Sequence, residues 1–207
     1  MKKYIKYIAI FVFSMGTAYS CKDVLDTKPY DKFSEDVVWS SRAAADAFVY
    51  STYDAVVRGL YSSNIEADAY TTNSIDNRGN AMTREELTRD YDAGFNKFSQ
   101  IRKCNLIIEK ATASTSLTEN DKKELVAEAK FLRAMTYFWL AKRFGRVVWV
   151  DHLVDIESTD FTMPLEDVST TYAKIMQDCD DAIAGMPATS LSGRANKYTA
   201  YALKTEV

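Results

Sequence analysis

Glycine and proline are scarce, at 7 and 3 in 207 residues, which argues against an all-β chain built on many tight turns. Histidine occurs once, at His152 in a polar connector. A solvated side chain there is the ordinary reading, and neither a catalytic nor a metal role is assigned to it. There is no glycine-rich phosphate loop and no Cys/His cluster at metal-ligand spacing. No basic run exists to meet nucleic acid or an anionic membrane surface, and the formal net charge is −3. No apolar run reaches the ~20 residues that span a bilayer. The acidic pairs Glu85/Glu86 and Asp180/Asp181 are sequence neighbours. Adjacent residues on a helix do not face each other, whereas glycosidase carboxylates flank a bond across a cleft. They read as solvated charge. The chain is therefore expected not to be an enzyme, with no catalytic residue, metal or cofactor.

What is present begins at the N-terminus. Lys2, Lys3 and Lys6 precede a short apolar run, Ile8 to Met15, and then small residues. This is the pattern of a secretory signal peptide over residues 1–20. Ala18-Tyr19-Ser20-Cys21 places a cysteine directly after a small residue at a cleavage-like position. That is a loose form of the bacterial lipoprotein box, and it predicts acylation of Cys21 with palmitate-type chains. Several acyl chains on one residue give stable anchoring where one would be marginal. Removal of residues 1–20 takes three lysines and no acids, leaving 23 basic residues against 29 acidic. Membrane attachment then depends on lipid. Cys104 and Cys179 lie on apolar helical stripes and read as buried free thiols.

The remainder is patterned for helices. Residues 21–38 read as an extended tether bent at Pro29. Ser40 and Ser41 offer an N-cap, with Trp39 placed to staple onto Ala44. A first helix follows with Ala44, Phe48, Ala55 and the intervening tyrosines on its buried side, ending near Gly59. Residues 61–90 lack a helical period and form a long loop, a length at which loops are often functional. A second helix is expected over about 90–111, with the stripe Phe95, Phe98, Ile101, Asn105 and Ile108. The third is the most strongly marked: Thr118 caps it, Asp121 completes a shortened capping box, and no breaker occurs before Gly145. Its middle, Phe131 to Ala141, is apolar on nearly every face, as in a helix buried from several sides. Val147 to Val150 reads as a short extended piece. A fourth helix over about 170–184 carries Tyr172, Ile175, Met176, Cys179, Ile183 and Met186. A fifth begins after Asn196, with Tyr198, Ala202 and Thr205 on one side and no stop signal. Ala182 and Pro187 stand five apart, like the residues closing the second helix of a tetratricopeptide repeat. The expected class is all-α: tetratricopeptide-like helical hairpins in an α-α superhelix, incomplete at the C-terminus. Residues 39–207 form this truncated helical-repeat domain.

Several segments together resemble the SusD/RagB family of outer-membrane nutrient-binding lipoproteins. Cys21 to Pro29, with its Leu25-Asp26 pair, resembles that family's mature start. Ile101-Arg102 with Asn105, then Ile108-Glu109, resembles its second-helix signature. Ala127-Glu128-Ala129 through Phe131-Leu132-Arg133-Ala134 and Tyr137-Phe138, closing at Arg143-Phe144-Gly145, resembles its central motif. Tyr172, Ile175 and Asp178, with Gly193-Arg194-Ala195, resemble the connector into the next helix pair. Val148 stands where the family usually has a proline, and the family's chains run far longer. The resemblance implies a lipid-anchored, outward-facing protein of the outer membrane. It would hold an oligosaccharide as a lid on a SusC-like TonB-dependent transporter. The alternatives it leaves are a peptide-binding member and a helical-repeat scaffold lipoprotein that binds only other proteins.

Sugar binding asks for aromatic faces beside amides and carboxylates that fork onto hydroxyls. The 61–91 segment supplies that mixture in Tyr70, Asn73, Asp76, Asn77, Arg78 and Tyr91, and these are the candidate ligand-binding residues. Glu128 and Arg133 fall inside the buried third helix, where a charge is costly unless paired. They are assigned to a structural pairing within the helix stack.

Overall fold

The computed structural model of the protein describes residues 35–61, 94–155 and 162–207. These fall within one unit, 35–207. The signal peptide, Cys21, most of the tether and the 62–93 segment lie outside the described residues. The described elements are helices: α1 Glu35–Val38, α2 Arg42–Tyr61, α3 Phe98–Ala113, α4 Glu119–Phe144, α5 Val168–Gly185 and α6 Lys197–Glu206. One antiparallel bridge, Val148 to Leu165, is the sole strand pairing among the described residues. None of the described helices is long and apolar enough to cross a membrane.

α4 organises the rest. Thr118 accepts from the Asp121 amide while the Asp121 carboxylate accepts from the Thr118 amide, a complete capping box. The helix then runs 26 residues, roughly 39 Å at 1.5 Å per residue. It stops at Gly145, whose φ of 74° favours a residue without Cβ. Each hydrophobic core cluster among the described residues contains α4 residues. Leu125 and Ala129 meet Trp39, Val49 and Ile107. Phe131 and Leu132 meet Val56, Leu60 and Ala182. Tyr137 and Leu140 meet Ile101, Val147 and Ile175. The apolar surround expected from the sequence is thus distributed over α2, α3, α5 and the connectors.

Several sequence expectations are corrected in detail. The end of the tether is not extended, because Glu35–Val38 makes a helical turn. Trp39 is buried and sets its ring edge against Phe48 at 5.7 Å, in a cluster with Ala45 rather than Ala44. α2 buries Ala45, Val49, Thr52, Val56 and Leu60, leaving Ala44, Phe48 and Ala55 half-buried at the flanks. It also passes through Gly59 to Tyr61, since Gly59 serves close approach: an added Cβ would stand 2.5 Å from the Gln100 side chain. α3 begins at Phe98, not near residue 90. Residues 94–97 are non-helical, with Gly94 at φ 88° and the Lys97 amide donating to the Phe95 carbonyl at 2.9 Å. Its buried stripe is Ile101, Cys104, Asn105, Ile107 and Ala111, with Ile108 half-buried. Cys104 and Cys179 are free and buried. Burial pushes their thiols up to about 12 and about 11, so neither is a ready nucleophile.

Candidate functional site

Every ligand-binding residue expected from the sequence (Tyr70, Asn73, Asp76, Asn77, Arg78, Tyr91) lies outside the described residues, as does Cys21. What the described residues build instead is a cleft between α3 and the strap 147–155.

The strap leaves α4 at Gly145 and is fixed at its first half by burial. Val147 and Val150 are in the core, and the Glu166 amide donates to the Val147 carbonyl at 2.8 Å beside the single bridge. The Val150 amide donates to the Tyr137 hydroxyl at 2.6 Å, and burial pushes that hydroxyl well above its ordinary range. Trp149 stacks on the same Tyr137 ring at 4.1 Å between centroids. Beyond Val150, side chains of the helices hold the strap by its carbonyls. Asn105 donates from Nδ2 to the Val150 and His152 carbonyls, each at 3.0 Å. Arg133 reaches the Asp151 carbonyl at 3.3 Å and Arg102 the Val154 carbonyl at 2.9 Å.

The Asn105 amide is oriented by a buried ion pair. Its Oδ1 accepts from Arg133 Nη1 at 2.9 Å. The other edge of the guanidinium binds Asp178 of α5 at two points, 2.7 and 2.8 Å. Burial raises the Asp178 carboxyl above the usual carboxylate range, with the guanidinium pulling against it. A forked, almost fully buried Arg–carboxylate pair of this kind is held by geometry rather than by Coulomb attraction alone. The sequence marked Arg133 as needing a partner without naming it. The signal for Asp178 was its place on the apolar stripe of α5, three residues after Ile175. The neighbouring Asp180 and Asp181 are not simply solvated: Asp181 pairs with Lys130 of α4 and Asp180 with Lys204 of α6.

Between α3 and the strap lies a cavity of about 560 Å³. Its walls are apolar, from Phe98, Ile101, Val148, Val150, Val154 and Met163. Arg102 and His152 stand at its rim, and His152 is exposed beside Asp151, 3.2 Å away. Asn105 also lines it, but both ends of its amide are committed to the strap and to Arg133. No group of His, Cys, Asp or Glu is placed to hold a metal ion among the described residues. The described residues thus build a helical stack with a side-chain-held strap and an apolar cleft.

Comparison with known proteins gives the scaffold its family. The SusD-like family described as "Starch-binding associating with outer membrane" matches residues 23–207, and the chain belongs to it. SusD-like protein P38 of Formosa agariphila is 25% identical over 220 residues, covering all of this chain and 43% of that protein. A crystal structure of a SusD-like protein from Bacteroides fragilis matches with TM-score 0.65 and 27% identity, over 87% of this chain and 37% of that one. A laminarin binding SusD-like protein shares the fold, with TM-score 0.65 and 21% identity over 79% of this chain and 39% of that one. The chain spans about two fifths of the length of the curated relatives it matches.

Proposed function

We propose that this chain belongs to a surface lipoprotein that captures an oligosaccharide and hands it to a SusC-like TonB-dependent transporter of the outer membrane. The observation that carries the reading is the family match over residues 23–207, whose description is starch-binding in association with the outer membrane. The helical stack around α4 is the part of such a protein that presents surface to a partner. The ligand is held by the 61–91 segment, with Tyr70 and Tyr91 as stacking faces and Asn73, Asp76, Asn77 and Arg78 as polar contacts. Starch, named in the family description, and laminarin, named for a protein of the same fold, are the first glycans to try. The protein binds without cleaving, and it stays on the membrane through lipid on Cys21.

Two measurements test this. Calorimetry with a panel of oligosaccharides, laminarin fragments included, should find a saturable ligand whose chain length is unchanged after incubation. Shortened products would make the protein an enzyme, and binding of peptides alone would move it to another ligand class. Growth with radioactive fatty acid should label the wild type and leave Cys21→Ala unlabelled and unanchored; label on the variant removes the anchor from the proposal.

A further inference from the structure

Residues 151–154 are held to the helices by side chains. No backbone–backbone hydrogen bond among the described residues reaches them. Three of their carbonyls are tied by helix side chains, Arg133 on Asp151, Asn105 on His152 and Arg102 on Val154, and the Asp151 carboxylate bonds locally with the Trp149 and His152 side chains. One residue upstream the situation is different. Val150 is buried, its amide is bound by Tyr137, and its carbonyl is bound by Asn105.

The three ties are unequal. The Arg133 contact is the longest, at 3.3 Å. Arg102 is exposed, and a bond competing with water contributes little. Asn105 is only 2% exposed and serves two strap carbonyls at once, so its bonds are the strong ones. Val154 packs at the edge of the core, but the 560 Å³ cleft lies beside the segment, so part of the dispersion contact that would hold a core wall is missing there. A piece with a buried pivot, few ties and a void behind it opens at lower free energy than the helices around it.

We propose that residues 151–154 form a hinged wall of the apolar cleft, pivoting at Val150 and latched by Asn105, so that the cleft widens without disturbing the helix stack. The latch has a defined setting. Asp178 of α5 fixes Arg133 of α4, Arg133 fixes the face of the Asn105 amide, and the amide fixes the wall. The inference stands apart from the proposed glycan ligand, since no residue of the 61–91 segment enters it.

The test is Asn105→Asp. This change keeps an oxygen for Arg133, removes both donors from the strap and turns a carboxylate toward two carbonyls. Backbone ¹⁵N order parameters of the His152, Leu153 and Val154 amides should fall from about 0.85 to below about 0.6, while those of Leu125 to Ala141 in α4 stay near 0.85. Fluorescence of the apolar dye 8-anilinonaphthalene-1-sulfonate should rise severalfold with it. If Asn105→Asp does not fold, the smaller uncharged Asn105→Ser also withdraws both donors from the strap carbonyls, and His152, Leu153 and Val154 should loosen while α4 does not. The latch is overturned if the strap stays rigid in the folded variants. It is equally overturned if α4 loosens together with the strap, which would make Asn105 a packing residue.

Discussion

Glu128 of α4 and Arg194 of the α5–α6 connector meet at two points, Nη2 to Oε1 at 2.7 Å and Nε to Oε2 at 3.0 Å. Their side chains are 5% and 4% exposed. The Tyr53 hydroxyl donates to the same carboxylate at 3.0 Å and accepts from the Ala195 amide at 3.1 Å. Arg194 also reaches Asp46 at 2.6 Å. One ion pair therefore joins α2, α4 and the approach to α6. Burial raises the Glu128 carboxyl above its ordinary range, and Arg194 opposes that shift.

Breaking this pair from one side is expected to be costly. Glu128→Leu or Arg194→Met should each lower unfolding free energy by about 3–5 kcal/mol, since each leaves a buried polar partner uncompensated. The double variant Glu128→Leu with Arg194→Met should lose far less than the sum. Urea denaturation of the four proteins measures this, and simple additivity would contradict the pairing.

α4 and α5 approach closely where α5 ends. A Cβ added to Gly185 would stand 2.5 Å from Ala127 Cβ and 3.0 Å from the Lys123 carbonyl. Neither neighbour is the tip of a flexible side chain. Gly185→Ala should therefore destabilise by about 1–3 kcal/mol through overpacking, despite the better helix propensity of alanine. A thermal midpoint equal to or above that of the wild type would show that the two helices separate freely.

The α4 cap is sensitive to acid. Hydrogen bonds from Thr118 and Arg42 hold the Asp121 carboxylate below its ordinary 3.8. A depressed folded-state value contributes stability that is present above the unfolded value and lost as pH falls through the folded one. The cap's share is thus intact at neutral pH and disappears below 3.8. Asp121→Asn should be less stable than the wild type at neutral pH and should lose less on acidification. Parallel pH–stability curves for the two proteins would refute this.

The ligand residues are tested by calorimetry once an oligosaccharide ligand is in hand. Stacking a pyranose on a ring removes apolar surface from water at ~25 cal/mol per Å². Tyr70→Ala and Tyr91→Ala should each cost about 1–2 kcal/mol, or roughly five- to thirty-fold in affinity. Loss of Asn73 or Asp76 should cost about 1–3 kcal/mol by leaving a hydroxyl unpaired. None of these changes should lower the melting temperature. Unaltered affinity in both tyrosine variants would return the segment to solvated surface.

The helices were legible in the sequence where periodicity and caps agree. Thr118, Asp121 and Gly145 bound α4 correctly, because a capping box and a positive-φ glycine are local chemistry. α2 was harder to orient, since its apolar residues run around the cylinder and only tertiary packing selects Val49 and Val56 over Phe48. The start of α3 was misplaced because Phe95 continues the apolar period past the point where Gly94 breaks the backbone. Glu128 and Arg133 could be recognised as needing partners. Asp178 and Arg194 could not be matched to them, because pairs separated by 45 and 66 residues are fixed by how helices cross, not by spacing. The cleft was invisible for the same reason: its walls come from segments far apart in sequence that tertiary packing and the Asn105, Arg133 and Arg102 bonds bring together.

The burial of α4 on every side decides where recognition can occur. From Leu125 to Ala141 it has no broad outward face: Met135, Phe138 and Trp139 are half-buried, and Lys130 is engaged with Asp181. Among the described residues, the surface left for a ligand or partner is the outer faces of α2, α3, α5 and α6 and the connectors. The longest described helix is a mast that carries the binding surfaces without offering one. A surface scan for contact residues can pass over its middle, and a defect mapped there is to be read as a defect of folding.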